Sequence, residues 1–319
     1  MKTRILTAAY ITLFLAIIFL ARLLPEGYGL YIFDFAIGIL AVIAAVEVAR
    51  VLERAKKYNS IPLAGIFPAT LYLGIIIGLV FEFYLPYFLI FVVALYIVFM
   101  LLSYILTMIL TKTTQKELDK YQIKTSKNHY AITKAVNTGF VMLYPSLLFI
   151  CITVLNHFAN LPMMQGIAIN IQNVFSMFFL ILAFAVPVIT DTMAMVVGSI
   201  VKGPKLCPRI SPKKTISGAI GGLVGGVLAA FTVFGFFMIN NVFSANYANY
   251  FSIWFILLIG LIGSIFCQLG DIFASWLKRR ARVKDYGTIF PGHGGVMDRM
   301  DGIIVSATFV LICVLILFA

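Results

Sequence analysis

Four carboxylates, Asp271, Asp285, Asp298 and Asp301, alternate with Lys278, Arg279, Arg280, Arg282, Lys284, His293 and Arg299 in one short stretch of the chain. Carboxylates hold hard cations, and bases hold phosphates. A segment carrying both can bring a metal ion and an anionic substrate together. Long apolar runs lie on either side of it. An Asp, Lys or Arg costs about 2.5–3.5 kcal/mol at the centre of a bilayer helix, so the stretch is expected at a membrane surface.

Spacing refines the expectation. Asp271 lies near the end of one apolar run and Asp298 near the start of the next, so two antiparallel spans would set them at similar depth. Mg²⁺ is usually bound through one or two carboxylates plus substrate phosphates, and Asp271 with Asp298 is the expected pair. Asp301 follows Asp298 by three residues, on the same helical face. A plainer alternative leaves Asp298 and Asp301 complementing a helix dipole and Asp271 paired with Lys278. Gly292-His293-Gly294-Gly295 is a loop with few side chains, whose N–H groups can approach a phosphate. His293 is assigned to binding, because attack by an ionised phosphate needs little general base.

Two upstream stretches add to this set. In Ser211-Pro-Lys213-Lys214-Thr215 a cap residue and two Lys precede a Gly-rich run, which makes a helix N-terminus suited to anions; a snorkelling anchor is the alternative. Gly218, Gly222 and Gly226, like Gly221 and Gly225, recur every four residues and are expected at close helix contacts. Asp191 falls inside an apolar run and should face a cavity or partner rather than lipid. Asp34, Glu47 and Glu82 fall near span ends and are expected to be interfacial or structural.

The chain resembles the phosphatidate cytidylyltransferase (CDP-diacylglycerol synthase) family. The resemblance rests on Ser275, Lys278, Arg279, Lys284, Asp285, Gly287, Pro291, His293, Gly294, Gly295, Asp298, Arg299 and Asp301 at the family's spacing. Ser211–Thr215 and Thr190-Asp191-Thr192-Met193-Ala194 are similar to two further family elements. The chain departs from the pattern at Met195, Ser199 and Ser217. The resemblance implies catalytic roles for Asp271, Lys284, Asp285, Asp298, Arg299 and Asp301. It implies substrate binding by Asp191, Ser211, Lys213, Lys214, Thr215, Ser275, Lys278, Arg279, His293, Gly294 and Gly295. Mg²⁺ is the implied cofactor, with K⁺ as a second cation that the family allows. CTP and phosphatidate are the implied substrates.

The remaining chain must position these groups. Of its 319 residues, 62% are hydrophobic and 11% charged, whereas a soluble domain carries about 25% charged residues. An all-α integral membrane protein is expected, with one polytopic domain over 1–319 and a catalytic half over about 186–319. Spans of about 20 apolar residues are read at roughly 5–24, 28–50, 62–83, 86–111, 136–157, 170–200, 216–239, 250–274 and 302–319. The first is read as an anchor, not a cleaved signal, since Ala21-Arg22-Leu23 lacks the small-residue cleavage spacing. Lys112–Lys134 is expected to be a solvated connector, with a short headgroup helix as the alternative.

Alternate loops hold 23 of the 24 Lys and Arg residues, leaving Arg22 on the other side. Retention of basic residues on the inside then puts the N-terminus and the polar stretch in the cytoplasm and the C-terminus outside. A bacterial inner membrane is the expected location. The net charge of +12 suits anionic lipid headgroups and a nucleotide. Nucleic acid is not expected, for want of a basic soluble domain. Four Cys without Cys-x-x-Cys spacing give no support to a zinc site or disulfide. A homodimer is left open. Alternatives are another CTP-dependent lipid enzyme, either a polyprenol kinase or a cytidylyltransferase for a different lipid phosphate, and an ion-coupled transporter. The transporter is disfavoured because the charges gather on one face, without paired inverted repeats.

Overall fold

The structure is a computed structural model, and it describes residues 2–22, 24, 28–80, 85–120, 126–160, 169–239 and 252–318. Its helices are α1 (Lys2–Ala21), α2 (Tyr28–Arg54), α3 (Ile61–Val80), α4 (Leu85–Ile109), α5 (Thr111–Lys120), α6 (Lys127–Val141), α7 (Leu148–Asn156), α8 (Ile169–Ile200), α9 (Ile216–Ile239), α10 (Ile253–Arg280) and α11 (Met297–Phe318). A π-helical turn, Met142–Leu147, joins α6 to α7, and a 3₁₀ turn, Phe158–Asn160, follows α7. Strands β1 (Lys205–Cys207) and β2 (Ser211–Thr215) form an antiparallel hairpin.

Eight helical stretches among the described residues are long and apolar enough to cross a membrane, with α6 and α7 forming one of them. They coincide with eight of the nine expected spans. The remaining run is the 20-residue helix α1. At 1.5 Å per residue such a helix covers about 30 Å, the thickness of the hydrocarbon core. Glu82 and the whole of the expected 240–250 loop lie outside the described residues.

Two local expectations are corrected. Part of the supposed solvated connector is helix α5, held by specific contacts. Leu118 and Thr114 are buried, Thr114 Oγ1 donates to Thr107 O at 2.7 Å, and Glu117 pairs with Lys134 at 2.8 Å and accepts from Tyr130 Oη at 2.9 Å. A polar segment with one buried Leu has no apolar stripe to announce a helix. The second correction is the hairpin, in which Ser211–Thr215 is a strand rather than a loop leading into a helix. Strands of three and five residues are too short to give an alternating pattern.

By backbone contacts the chain divides into two units, Met1–Phe149 with Arg280–Asp298, and Ile150–Arg279 with Arg299–Ala319. In the first, α2 packs on α1, α3 and the π-helical turn, and α4 packs on α3 and α6. Its core includes Phe33, Ile37, Phe67 and Leu71.

In the second unit α8 packs along α9, and glycines permit the approach. A Cβ at Gly221 would meet the Val197 side chain at 2.5 Å, and one at Gly225 would meet Met193 Cβ at 2.7 Å. On the other flank of α9, a Cβ at Gly226 would meet Gly260 O of α10 at 2.7 Å and also overlap the Ser264 side chain. The four-residue recurrence therefore serves close packing, as expected.

Candidate active site

The second unit collects acidic and basic groups from several elements. β2 ends in Thr215, whose Oγ1 accepts the Gly218 N–H at 3.1 Å and so caps α9, satisfying one of the orphan donors at a helix start. That fixes the end of the strand, and the preceding Lys214 reaches α10, where its Nζ lies 2.6 Å from Asp271 Oδ2. Ser275, one turn along α10, donates to Asp271 Oδ1 at 3.3 Å. Asp271 thus pairs with Lys214 and not with Lys278. Arg279 fixes the hairpin from below, donating through Nε to Ile210 O at 3.0 Å.

Asp191 of α8 enters the same cluster. Its Oδ1 accepts from Cys267 Sγ at 3.7 Å, and it interacts electrostatically with Asp271, Lys214 and Arg299. The residue itself is exposed on α8. Asp301 is buried, accepts the Gly302 N–H at 2.9 Å, and interacts with Asp271, Asp191 and Lys278. Lys278 is buried as well. Three carboxylates and three cations therefore meet within one unit. Ser211 is half-buried at the start of β2, and Lys213 is exposed.

The first unit holds the glycine loop of the signature. Phe290 donates its N–H to Gly294 O at 2.9 Å, and His293 donates back to Phe290 O at 2.9 Å, closing a tight turn. Gly292 and Gly294 have φ of 77° and 85°, in the left-handed region where glycine alone is unstrained. His293 is half-buried in this turn, while Lys284 and Asp285 are exposed on the preceding strap.

Asp298 organises the loop. Its Oδ2 accepts the N–H of Tyr286 at 2.7 Å and of Gly295 at 2.9 Å. Two donors at the start of α11 go to Glu47 of α2, which accepts the N–H of Val296 at 3.2 Å and of Met297 at 2.9 Å. Close approach at this loop is made by carboxylates: a Cβ on Gly294 would crowd Asp298, and one on Gly287 or Gly295 would overlap Glu47. Glu47 was read as interfacial or structural, yet only 3% of it is exposed, and it is bonded to the signature itself. Its sequence signal was a lone carboxylate inside the run Ala44-Ala45-Val46-Glu47-Val48-Ala49, a position at which an ionisable residue points to a function.

Oxygen donors fit a hard cation such as Mg²⁺, which takes few protein ligands and completes its shell with water and phosphate. Among the described residues, no group of three or more His, Cys, Asp or Glu side chains is arranged to hold a metal ion. Asp271, held from two sides by Lys214 and Ser275, is one carboxylate of the second unit that could contribute an oxygen to a cation. Asp298 belongs to the first unit, with Oδ2 already engaged by two backbone donors.

The chain is 40% identical over 128 residues to the phosphatidate cytidylyltransferase of Rickettsia conorii, a match covering 40% of this chain and 54% of that protein. It is 43% identical over 118 residues to the Rickettsia felis protein of the same name, covering 37% and 50%, and 39% identical over 128 residues to that of Brucella abortus, covering 40% and 43%. The chain thus spans about half the length of the curated relatives it matches. The sequence profile of the cytidylyltransferase family matches residues 2–317, nearly the whole chain, and the protein belongs to that family.

Proposed function

We propose that the protein transfers the cytidylyl group of CTP to phosphatidate, giving CDP-diacylglycerol and pyrophosphate. A phosphate oxygen of the lipid attacks the α-phosphorus of CTP, and the bond from that phosphorus to the bridging oxygen of the β-phosphate breaks. The electron pair leaves with pyrophosphate. The observation that carries this reading is the Lys214–Asp271 pair with Asp191, Asp301, Lys278 and Arg299 around it, in a chain belonging to the cytidylyltransferase family. Relatives matched over about half their length bear the corresponding name.

Two anions must meet in this reaction, so the chain's part is to neutralise and align them. Lys214 and Arg299 supply positive charge beside Asp271 and Asp191. Arg299, with a planar fork, suits bidentate contact with a phosphate. Ser275 orients Asp271. Mg²⁺, held in part by Asp271, would polarise the reacting phosphate and offset the charge that grows on the leaving group. K⁺ is the proposed second cation. Asp298, expected from the sequence to share the Mg²⁺, is tested separately because it also shapes its loop. The lipid substrate is supplied from the bilayer and CTP from the cytoplasm, which sets the proposed location in a bacterial inner membrane with the site facing inward.

The test is a product assay. Protein purified in detergent is given CTP, Mg²⁺ and phosphatidate, and the products are identified by mass. CDP-diacylglycerol with pyrophosphate in equal amounts is expected. CDP released together with a newly phosphorylated lipid would mean kinase chemistry instead, and a cytidylylated product formed only from another lipid phosphate would change the substrate.

A further inference from the structure

We propose that Glu47, far upstream of the signature in sequence, is a positioning residue for it: the α2 carboxylate holds the Gly287–Met297 loop in its working shape. Three observations within the first unit meet on this side chain. It is almost fully buried. Its two oxygens accept separate N–H groups, Oε1 from Val296 and Oε2 from Met297. Its carboxyl group fills the space that a side chain at Gly287 or Gly295 would need.

These contacts have one geometric consequence. A helix start leaves its first N–H groups without intrahelical partners, and here those of Val296 and Met297 are taken by Glu47, while that of Gly295 just before them goes to Asp298. The start of α11 is already capped, which fixes the turn carrying Asp298. The glycines at 287 and 295 let the strap close around Glu47, and no positive φ is recorded for either. Their lack of a side chain therefore answers to the Glu47 carboxylate rather than to backbone conformation. Glu47 touches no reacting atom in this account; it acts through the loop.

The kinetic arm of the test rests on the cytidylyl-transfer reading; the other two do not. Glu47→Gln keeps the shape but offers one acceptor oxygen where two are used, and its amide would turn a donor toward a backbone donor. Amide hydrogen exchange across residues 286–298 should rise several-fold, with exchange in α3 and α9 unchanged. Loss of folded protein would lower the apparent kcat and leave KM for CTP in place, whereas a displaced loop raises KM for CTP. An increase of about tenfold or more, with kcat/KM down about a hundredfold, is expected for reacting groups misplaced by the order of 1 Å.

A double-variant cycle supplies the third arm. Gly295→Ala alone should lower the apparent Tm by several degrees, because its Cβ overlaps Glu47. In a Glu47→Ala background, where that carboxylate is gone, the same Gly295→Ala change should lower it little further. Unchanged exchange in Glu47→Gln, or additive losses in the cycle, overturns the proposal. Parent protein inactive toward CTP and phosphatidate would instead overturn the reaction, and the exchange and cycle results would still decide the role of Glu47.

Discussion

Lys214 Nζ lies 2.6 Å from Asp271 Oδ2, tying the second strand of a short hairpin to a membrane-spanning helix within one unit. Each partner keeps roughly a quarter of its side chain exposed. The pair is therefore only partly enclosed by the protein, which under the proposed function leaves it open to exchange partners with substrate. A Lys already beside a carboxylate can turn to a phosphate while a metal ion takes its place, with little rearrangement of the backbone.

Asp271→Asn should lower kcat for CDP-diacylglycerol formation by about 10²–10³-fold, the range seen when a single pre-organised electrostatic contact to a transition state is removed. Lys214→Ala should act on the same step, and the double variant should lose less than the product of the two single losses, because the residues share a contact. Steady-state assays across a Mg²⁺ titration measure this. Near-normal turnover in Asp271→Asn at ordinary Mg²⁺ would remove Asp271 from the proposed site.

Asp298→Asn separates two roles. Asn retains one oxygen to accept the N–H groups of Tyr286 and Gly295, so amide exchange in residues 286–298 should change little. The charge is lost, so the Mg²⁺ concentration needed for half-maximal rate should rise about tenfold or more if the residue binds metal. A rise in loop exchange with no change in Mg²⁺ dependence would give Asp298 a purely structural part.

Why the sequence announced some of this site and not the rest follows from how far each contact reaches. The Thr215 cap was legible because its acceptor bonds a donor three residues on, and the glycine contacts were legible because helix periodicity alone puts them on one face. The signature residues stand in one stretch and carry their own spacing. Glu47 was read as interfacial or structural, and its structural part holds, but which segment it supports was hidden because its partners are 249 and 250 residues away, and no local pattern encodes such a contact. The Lys214–Asp271 pair was hidden likewise: each residue had a plausible nearer role, Lys214 at a helix N-terminus and Asp271 with Lys278. A short helix in the Lys112–Lys134 stretch was only the alternative reading, because tertiary contacts of Glu117, Thr114 and Leu118 hold α5, not an apolar stripe.

Glycines in α9 divide by environment, and their substitutions should divide likewise. Gly226→Ala puts a methyl group against Gly260 O and Ser264, an overpacking that costs about 1–3 kcal/mol. Gly235→Ala meets nothing within 4 Å and replaces a poor helix former with the best, a gain of about 0.5–1 kcal/mol. Apparent Tm in detergent should fall for the first and hold or rise for the second. A matching fall in both would mean that the helix contacts around Gly226 do not set stability.

Thr215→Ala removes the acceptor for the Gly218 N–H and should cost about 1 kcal/mol, with Thr215→Ser restoring most of it. Loss of the cap frees the end of β2, which carries Lys214, so the Ala variant should also lose activity beyond what its Tm explains. Comparing kcat at a temperature well below both transitions isolates that effect. Equal kcat in the Ala and Ser variants would show that Lys214 is held by the hairpin alone.

Orientation in the membrane gives the last test, since the proposed reaction needs CTP and Mg²⁺ on the side that bears the signature loop. With Cys151, Cys207, Cys267 and Cys313 replaced, Thr288→Cys puts a thiol on an exposed loop position. A membrane-impermeant thiol reagent should label it only from the cytoplasmic side, because 23 of the 24 Lys and Arg residues lie in the loops assigned to that side and basic loops are retained inside. Ser244→Cys, a position outside the described residues, falls in a weakly charged stretch of sequence that is expected on the opposite side and should be labelled only from without. CTP with Mg²⁺ should slow labelling at 288 if the loop closes over nucleotide. Labelling of both positions from one side would break the alternation of spans between them, and external labelling at 288 would rule out a cytoplasmic nucleotide site.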